Sequence, residues 1–294
     1  MNVEPFRWTL YCSTLPSNMA EGVWRWRYIE YYETDTIMII TYDVTQVPEE
    51  LRRGLNAVAE AYPEHVGIET ASLVHFEKRK DAESRPGATV EAEENRISVQ
   101  YARRTDAFRA VGRLLGAAEP GFAGFTETPL VETAGAMVDV SRNGVITVET
   151  GRDLMIRMAL MGLNLVMLYT EDTYEVHDEP FFGYLRGPYT QEELRELDEF
   201  AEIMGIEIVP CIQTLGHLEQ ILQWPCYQKY RDTERILLAQ HPDTYTFIEK
   251  MIDAATEPVR TDRIHLGMDE AHGLGQGQYK ALFGEKRAFD VLNQ

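Results

Sequence analysis

A chain of 294 residues with 44% hydrophobic and 26% charged side chains has the composition of a globular protein and room for two ordinary domains. Its 28 basic against 48 acidic residues leave a formal net charge of −20, a field that repels phosphate backbones and speaks against a nucleic-acid partner; a neutral sugar meets no such barrier. No run approaches the roughly 20 apolar residues that cross a bilayer, so no membrane partner is expected.

The N-terminal segment lacks the basic-then-apolar order of a signal peptide. Three sparse cysteines, Cys12, Cys211 and Cys226, offer neither a disulfide framework nor a CxxC metal site, and a cytoplasmic setting is the expectation. After the aromatic stretch WRWRYIEYYE, which offers an edge strand or a packing surface, DTIMIITYD reads as a strand. PEELRRGLNAVAEAY reads as a helix opened by Pro48 with Leu51, Leu55, Val58 and Ala59 on one stripe. VGIETASLVHFE and RISVQYAR read as strands, separated by the turn-rich KRKDAESRPGA. TDAFRAVGRLLG reads as an amphipathic helix capped by Thr105 and ended by Gly116. This order predicts a small α+β domain, residues 1–128, with helices on one face of a sheet.

Between Gly116 and Gly135, four glycines with Pro120 and Pro129 mark a boundary. From residue 129 to 294 the pattern becomes strand–helix alternation. GAMVDVSR, LNLVMLYTED, IEIVPCIQT and IHLGMDE read as four strands, with RDLMIRMALMG, TQEELRELDEFAEIMG, GHLEQIL and YKALFGEKRAFDVLN as the helical segments after them. The second of these carries a capping box, Thr190 with Glu193, a stripe of Leu194, Leu197, Ala201 and Met204, and a terminal Gly205. Near-continuous apolar strands between helices indicate a parallel sheet covered on both sides. On the fourth strand Ile264, Leu266 and Met268 fall on the helix-facing side, and His265, Gly267 and Asp269 on the other. Every strand finishes in polar groups: Arg142, Glu171 with Asp172, Gln213 through His217, and Asp269 with Glu270. Ligands bind at that rim in β/α barrels and in open α/β sheets alike.

Two acids in one cleft cannot both ionise freely, which suits general acid–base work; a solvated acidic loop is the competing reading for Asp269 and Glu270 alone. Four motifs in order shift the balance between these readings. HLGMDE resembles the His-x-Gly-x-Asp-Glu signature of glycoside hydrolase family 20, the β-N-acetylhexosaminidases. VDVSR is similar to the family's arginine-ended first barrel strand, LYTED to its acidic pair after the second, and TLGH to its Pro-Gly-His after the third.

The resemblance implies a (β/α)8 TIM-type barrel, of which about four β/α units are present, behind a small α/β domain. It also implies a retaining hydrolase acting on terminal β-linked N-acetylhexosamine through the substrate's own 2-acetamido group. Carried over by position, Glu270 is the general acid and Asp269 orients the acetamido group. Arg142 holds the non-reducing hydroxyls, His217 pairs with Glu171 or Asp172 to tune Glu270, and His265 lines the barrel interior. No cofactor or metal is implied.

Met268 stands where many members have Gly, Glu171 where Asp is usual, and CIQTLGH lacks an acid often found before the Pro-Gly-His. A typical barrel has eight units and about 250 residues. The expectation is therefore a truncated reading frame, poorly active alone, whose open edges a missing half or an oligomer would cover. Two rivals remain: a metal-dependent barrel hydrolase using His265, Asp269, Glu270 and His272, and a non-catalytic carbohydrate-binding protein. GLGQGQ lacks the full pattern of a phosphate-cradling loop and reads as a flexible loop beside the site.

Overall fold

The computed structural model describes residues 40–68, 74–80, 86–93, 96–116, 124–142 and 144–293. The aromatic stretch before residue 34 and the first residues of the opening strand lie outside them. β1 (Ile40–Tyr42) pairs in parallel with β2 (Val66–Ile68) across α1 (Glu49–Ala61), whose buried stripe is Leu51, Leu55, Val58 and Ala59. The run read as one strand from Val66 is two. β3 (Val74–Lys78) belongs to a separate sheet, in the order β3-β5-β4-β6, with β4 (Ala88–Glu93), β5 (Arg96–Tyr101) and β6 (Gly124–Glu127). β4 alternates buried Ala88 and Val90 with outward Thr89 and Glu91, and β6 forms inside the stretch read as a linker.

Between β5 and β6, α2 (Arg104–Leu115) lies over this sheet. Its first turn is not capped by Thr105: the buried Asp106 carboxylate accepts the amides of Arg103 and Gly87 at 2.9 Å each. The Thr105 hydroxyl instead donates to the Gly205 carbonyl at 2.8 Å.

β7 (Gly135–Asp139), α3 (Val148–Met161), β8 (Leu165–Tyr169), α4 (Gln191–Met204) and β9 (Glu207–Cys211) follow as a parallel β-α-β-α-β run, in sheet order β7-β8-β9. α4 has the predicted ends: Thr190 Oγ1 accepts from the Glu193 amide at 3.1 Å, the Glu193 carboxylate accepts from the Thr190 amide at 2.9 Å, and Gly205 closes the helix at φ 71°. The register sets Asp139, Tyr169 and Cys211 in one row at the strand ends.

The fourth predicted strand is not a regular one. The His265 amide donates to the Pro210 carbonyl and the Ile212 amide to the His265 carbonyl, making a single parallel bridge to β9. At Gly267 the chain turns to φ +58° and its amide bonds His265 Nδ1 instead of the ladder. A side chain there would begin 2.0 Å from the Ile212 carbonyl oxygen, so the kink requires glycine. The predicted alternation fails on both sides of it: Leu266 and Met268 are exposed rather than packed under helices.

After β9, GHLEQIL shortens to α5 (Glu219–Leu222), followed by a 3-10 segment, Pro225–Tyr230, and the hairpin β10 (Arg231–Thr233) and β11 (Ile236–Leu237). The helix preceding His265 is α6 (Pro242–Thr256), unassigned in the sequence reading, although Pro242 at its start and the stripe Phe247, Met251, Ala254 mark it. YKALFGEKRAFDVLN is two short helices, α7 (Gln278–Phe283) and α8 (Ala288–Leu292), parted at Gly284.

One hydrophobic core runs from Ile40, Leu55 and Phe108 to Met158, Leu197 and Phe247, and a smaller cluster joins Leu215, Ile236, Leu238, Leu274, Tyr279 and Val291. Among the described residues no helix is long and apolar enough to cross a membrane.

Candidate active site at the strand ends

Asp139, the last residue of β7, folds the chain over itself. Its Oδ1 accepts the amides of Ser141 and Arg142 and the Ser141 hydroxyl, at 2.9, 3.2 and 2.8 Å, and this turn aims Arg142 along the rim. The guanidinium then meets three groups. Nη1 lies 2.8 Å from Asp139 Oδ2, Nη2 lies 3.0 Å from Glu171 Oε1, and Nη2 donates to the Tyr169 hydroxyl at 3.3 Å with the group over the tyrosine ring. Burial works against the Arg142 charge, but the Asp139 hydrogen bond and the fields of Glu171 and Tyr169 outweigh it and raise its pKa.

The two acids after β8 go separate ways. Glu171 faces Arg142, whereas Asp172 Oδ1 sits 3.1 Å from Arg186 Nε, and Arg186 also donates to the Ser141 carbonyl. Burial raises the pKa of both carboxyls; the neighbouring arginine pulls each the other way.

Gln213 carries the network across the sheet. Fully buried just past β9, its Nε2 donates to the Tyr169 hydroxyl at 2.9 Å and to Asp269 Oδ1 at 3.1 Å. Arg142, Tyr169, Gln213 and Asp269 thus form one chain of contacts. Burial and the Glu171 charge push the Tyr169 phenol up to about 12, so it stays protonated, and its hydroxyl lies 3.4 Å from Glu171 Oε1 as donor.

Asp269 and Glu270 project from the kinked segment with 57% and 66% of their side chains exposed, open to a ligand. His217, itself buried, places Nε2 3.6 Å from Asp269 Oδ2 and 3.5 Å from Glu270 Oε2. The predicted partner of His217 is therefore corrected: the histidine reaches both acids of the pair, and neither Glu171 nor Asp172 lies within ion-pair distance of it. The Gln213 hydrogen bond holds Asp269 below the usual carboxylate range. The two neighbouring acids thus have different surroundings, one held as an anion by an amide donor and the other turned to solvent beside an imidazole.

His265 follows the row of Asp139, Tyr169 and Cys211 through its bridge, but its ring is exposed and accepts the Gly267 amide at 3.2 Å. Among the described residues no three His, Cys, Asp or Glu side chains converge as metal ligands, so His265, Asp269, Glu270 and His272 do not make the metal centre considered from sequence. Tyr169, Gln213, Asp139 and Arg186 are the site groups without a role in the sequence reading. Strand parity was the available signal for two of them, since Asp139 and Tyr169 share the register row that leads to His265.

Parallel strands with a helix after each, and a rim of paired acids and an anchored guanidinium at their ends, are the pattern of an α/β catalytic domain. Residues 134–285, just over half the chain, match the model of the glycosyl hydrolase family 20 catalytic domain, and the chain belongs to that family. Hexosaminidase D of Bos taurus is 28% identical over 127 residues, covering 40% of this chain and 35% of that protein. The Homo sapiens protein of the same name is 27% identical over 127 residues, 40% of this chain and 25% of its own length. The GH20 β-N-acetylhexosaminidase of Streptomyces coelicolor A3(2) superposes with a TM-score of 0.67 at 19% identity, over 87% of this chain and 60% of that one. A mutant Streptomyces plicatus β-hexosaminidase in complex with GlcNAc superposes at 0.68 and 18% identity, over 82% and 57%. The chain therefore spans about a third or less of the two sequence relatives and about three fifths of the two solved structures.

Proposed function

We propose that the protein is a retaining glycoside hydrolase that removes terminal β-linked N-acetylhexosamine from glycans or glycoconjugates by substrate-assisted catalysis. The observation that carries this reading is the adjacent pair Asp269 and Glu270, both within reach of His217 and only one of them bonded by Gln213. Glu270 donates a proton to the glycosidic oxygen as the C1–O bond breaks. The carbonyl oxygen of the substrate's 2-acetamido group attacks C1 from the opposite face, giving an oxazolinium ion. Its positive N–H faces Asp269, whose lowered pKa keeps it ionised for that task. Water then attacks C1 and loses its proton to Glu270, so the configuration is retained. General acid–base transfer of this kind contributes roughly 10²–10⁴ in rate. Arg142, oriented by Asp139 and Glu171 and half exposed, presents its remaining donors to the sugar's non-reducing hydroxyls. Asp172 holds Arg186 and so braces the loop that carries Glu171, and His265 accepts the Gly267 amide and so braces the turn that leads to Asp269.

The reading includes a barrel of about four β/α units with a separate covering element, either further barrel strands or a second copy. Its support is β7, which pairs on one side only among the described residues and leaves Met137 52% exposed. Turnover by residues 1–294 alone is accordingly weak. The test is hydrolysis of an aryl β-N-acetylglucosaminide by the purified chain, alongside binding of a thiazoline analogue by calorimetry. Glu270→Gln is expected to abolish turnover and keep thiazoline binding. Turnover unchanged in Glu270→Gln, or a wild type that neither hydrolyses the glycoside nor binds the thiazoline, overturns the reading.

A further inference from the structure

The glycine-rich stretch after Glu270 has the look of an anion cradle, and the structure fills it with a carboxylate of the chain itself. Asp232, on β10 and 5% exposed, accepts three backbone amides: Gly275 at 2.7 Å on Oδ2, and Gly277 at 3.1 Å and Tyr279 at 2.8 Å on Oδ1. The approach is close enough that a side chain at residue 277 would begin 1.9 Å from the Asp232 carbonyl oxygen. Among the described residues no cationic side chain pairs with Asp232, so these amides are its charge partners. A buried carboxylate bound this way is costly to disturb, because losing the amide contacts leaves a charge without solvation.

The hairpin that carries Asp232 also holds the loop that carries His217. The Leu237 amide donates to the Leu215 carbonyl at 2.9 Å and the Leu218 amide to the Arg235 carbonyl at 3.3 Å, bracketing His217. Leu215, Ile236, Leu238, Leu274 and Tyr279 close the same cluster in apolar contact. His217 and Glu270 both sit at positive φ, 56° and 48°, where non-glycine residues stay only if their surroundings hold them. The Asp269 and Glu270 side chains are mostly solvent-exposed, so little side-chain packing fixes their direction. Backbone restraint on both flanks supplies it.

We propose that Asp232 is the positioning residue of the acid pair: its carboxylate ties the segment that follows Glu270 to the hairpin that brackets His217, and so sets the spacing between the imidazole and the two acids. The catalytic meaning of that spacing rests on the hexosaminidase reading, whereas the tie itself does not.

Asp232→Asn keeps the shape and one accepting oxygen but removes the charge and turns an N–H₂ toward the amide or amides bound by the other oxygen; Asp232→Ala removes the group. Both variants of the 1–294 chain are compared with wild type by hydrogen-exchange mass spectrometry and by steady-state kinetics on the aryl β-N-acetylglucosaminide. Peptides over 214–218 and 266–279 are expected to exchange at least tenfold faster in Asp232→Asn, with β7, β8 and β9 unchanged. The same variant should lose at least tenfold in kcat with KM within twofold. Unchanged exchange at 266–279, acceleration spread evenly over the chain, or a full kcat despite local loosening each overturns the proposal. A wild type without turnover and without thiazoline binding sinks the hexosaminidase reading instead, and exchange at 214–218 and 266–279 still decides whether Asp232 ties the two loops.

Discussion

Replacing Gln213 by Met keeps the volume of a buried side chain and removes the donor shared by Tyr169 and Asp269. A hydrogen bond to a charged group contributes about 1.5–3 kcal/mol. More than half of the Asp269 side chain is exposed, so solvent screening reduces this to about 1 kcal/mol. Losing that bond raises the proton affinity of Asp269. The sign follows from the lowered pKa of the folded state. Asp269 contributes stability that is present above the ordinary aspartate range, about pH 3.9, and is lost as pH falls through its lower folded value. The stability difference between wild type and Gln213→Met should therefore shrink as pH is lowered through that window. Carboxyl 13C NMR titration, with Asp269→Asn to assign the resonance, should place the Asp269 midpoint higher in the variant. A midpoint that stays put or moves down refutes the role given to Gln213.

Gly267→Ala must fit a side chain at φ +58° against the Ile212 carbonyl, and strain plus overpacking is expected to cost about 3 kcal/mol, read as a lower urea midpoint with unchanged slope; a wild-type midpoint would show that the kink tolerates a side chain. Burial raises the pKa of Glu171, so the folded protein binds its proton more tightly than the unfolded chain does and stability falls as pH rises from the ordinary glutamate value, about 4.3, through the raised one. Glu171→Gln removes this slope, and urea unfolding between those values should give a flatter profile than wild type; parallel profiles would contradict the assignment.

What could be read from residue order is what depends on neighbours in the chain. Thr190, Glu193 and Gly205 delimit α4 because capping is local chemistry within a few residues, and the polar strand ends announce the rim because each strand closes its own apolar run. Contacts that need register were less accessible. Gln213 reaches Asp269 only because β9 stands between β8 and the His265 segment, and no spacing in the sequence encodes that order. Thr105 looks like a helix cap until Gly205, a hundred residues later, takes its hydroxyl. The strand expected through Met268 fails for a tertiary reason: Gly267 lies so close to β9's extension at Ile212 that the chain bends out of the ladder. α6 carries its signals locally, since Pro242 and its apolar stripe are ordinary helix marks.

At the contact of α2 with α3, a Cβ on Gly112 would stand 2.0 Å from the Leu160 carbonyl oxygen. Two helices that touch backbone to backbone leave no layer of side chains to slide on or repack. The β3–β6 sheet and the β7–β9 sheet are thus bridged by a helix contact with no room for a side chain at residue 112. Even a single methyl group introduced at residue 112 would act as a wedge that pushes the end of α3 away from α2.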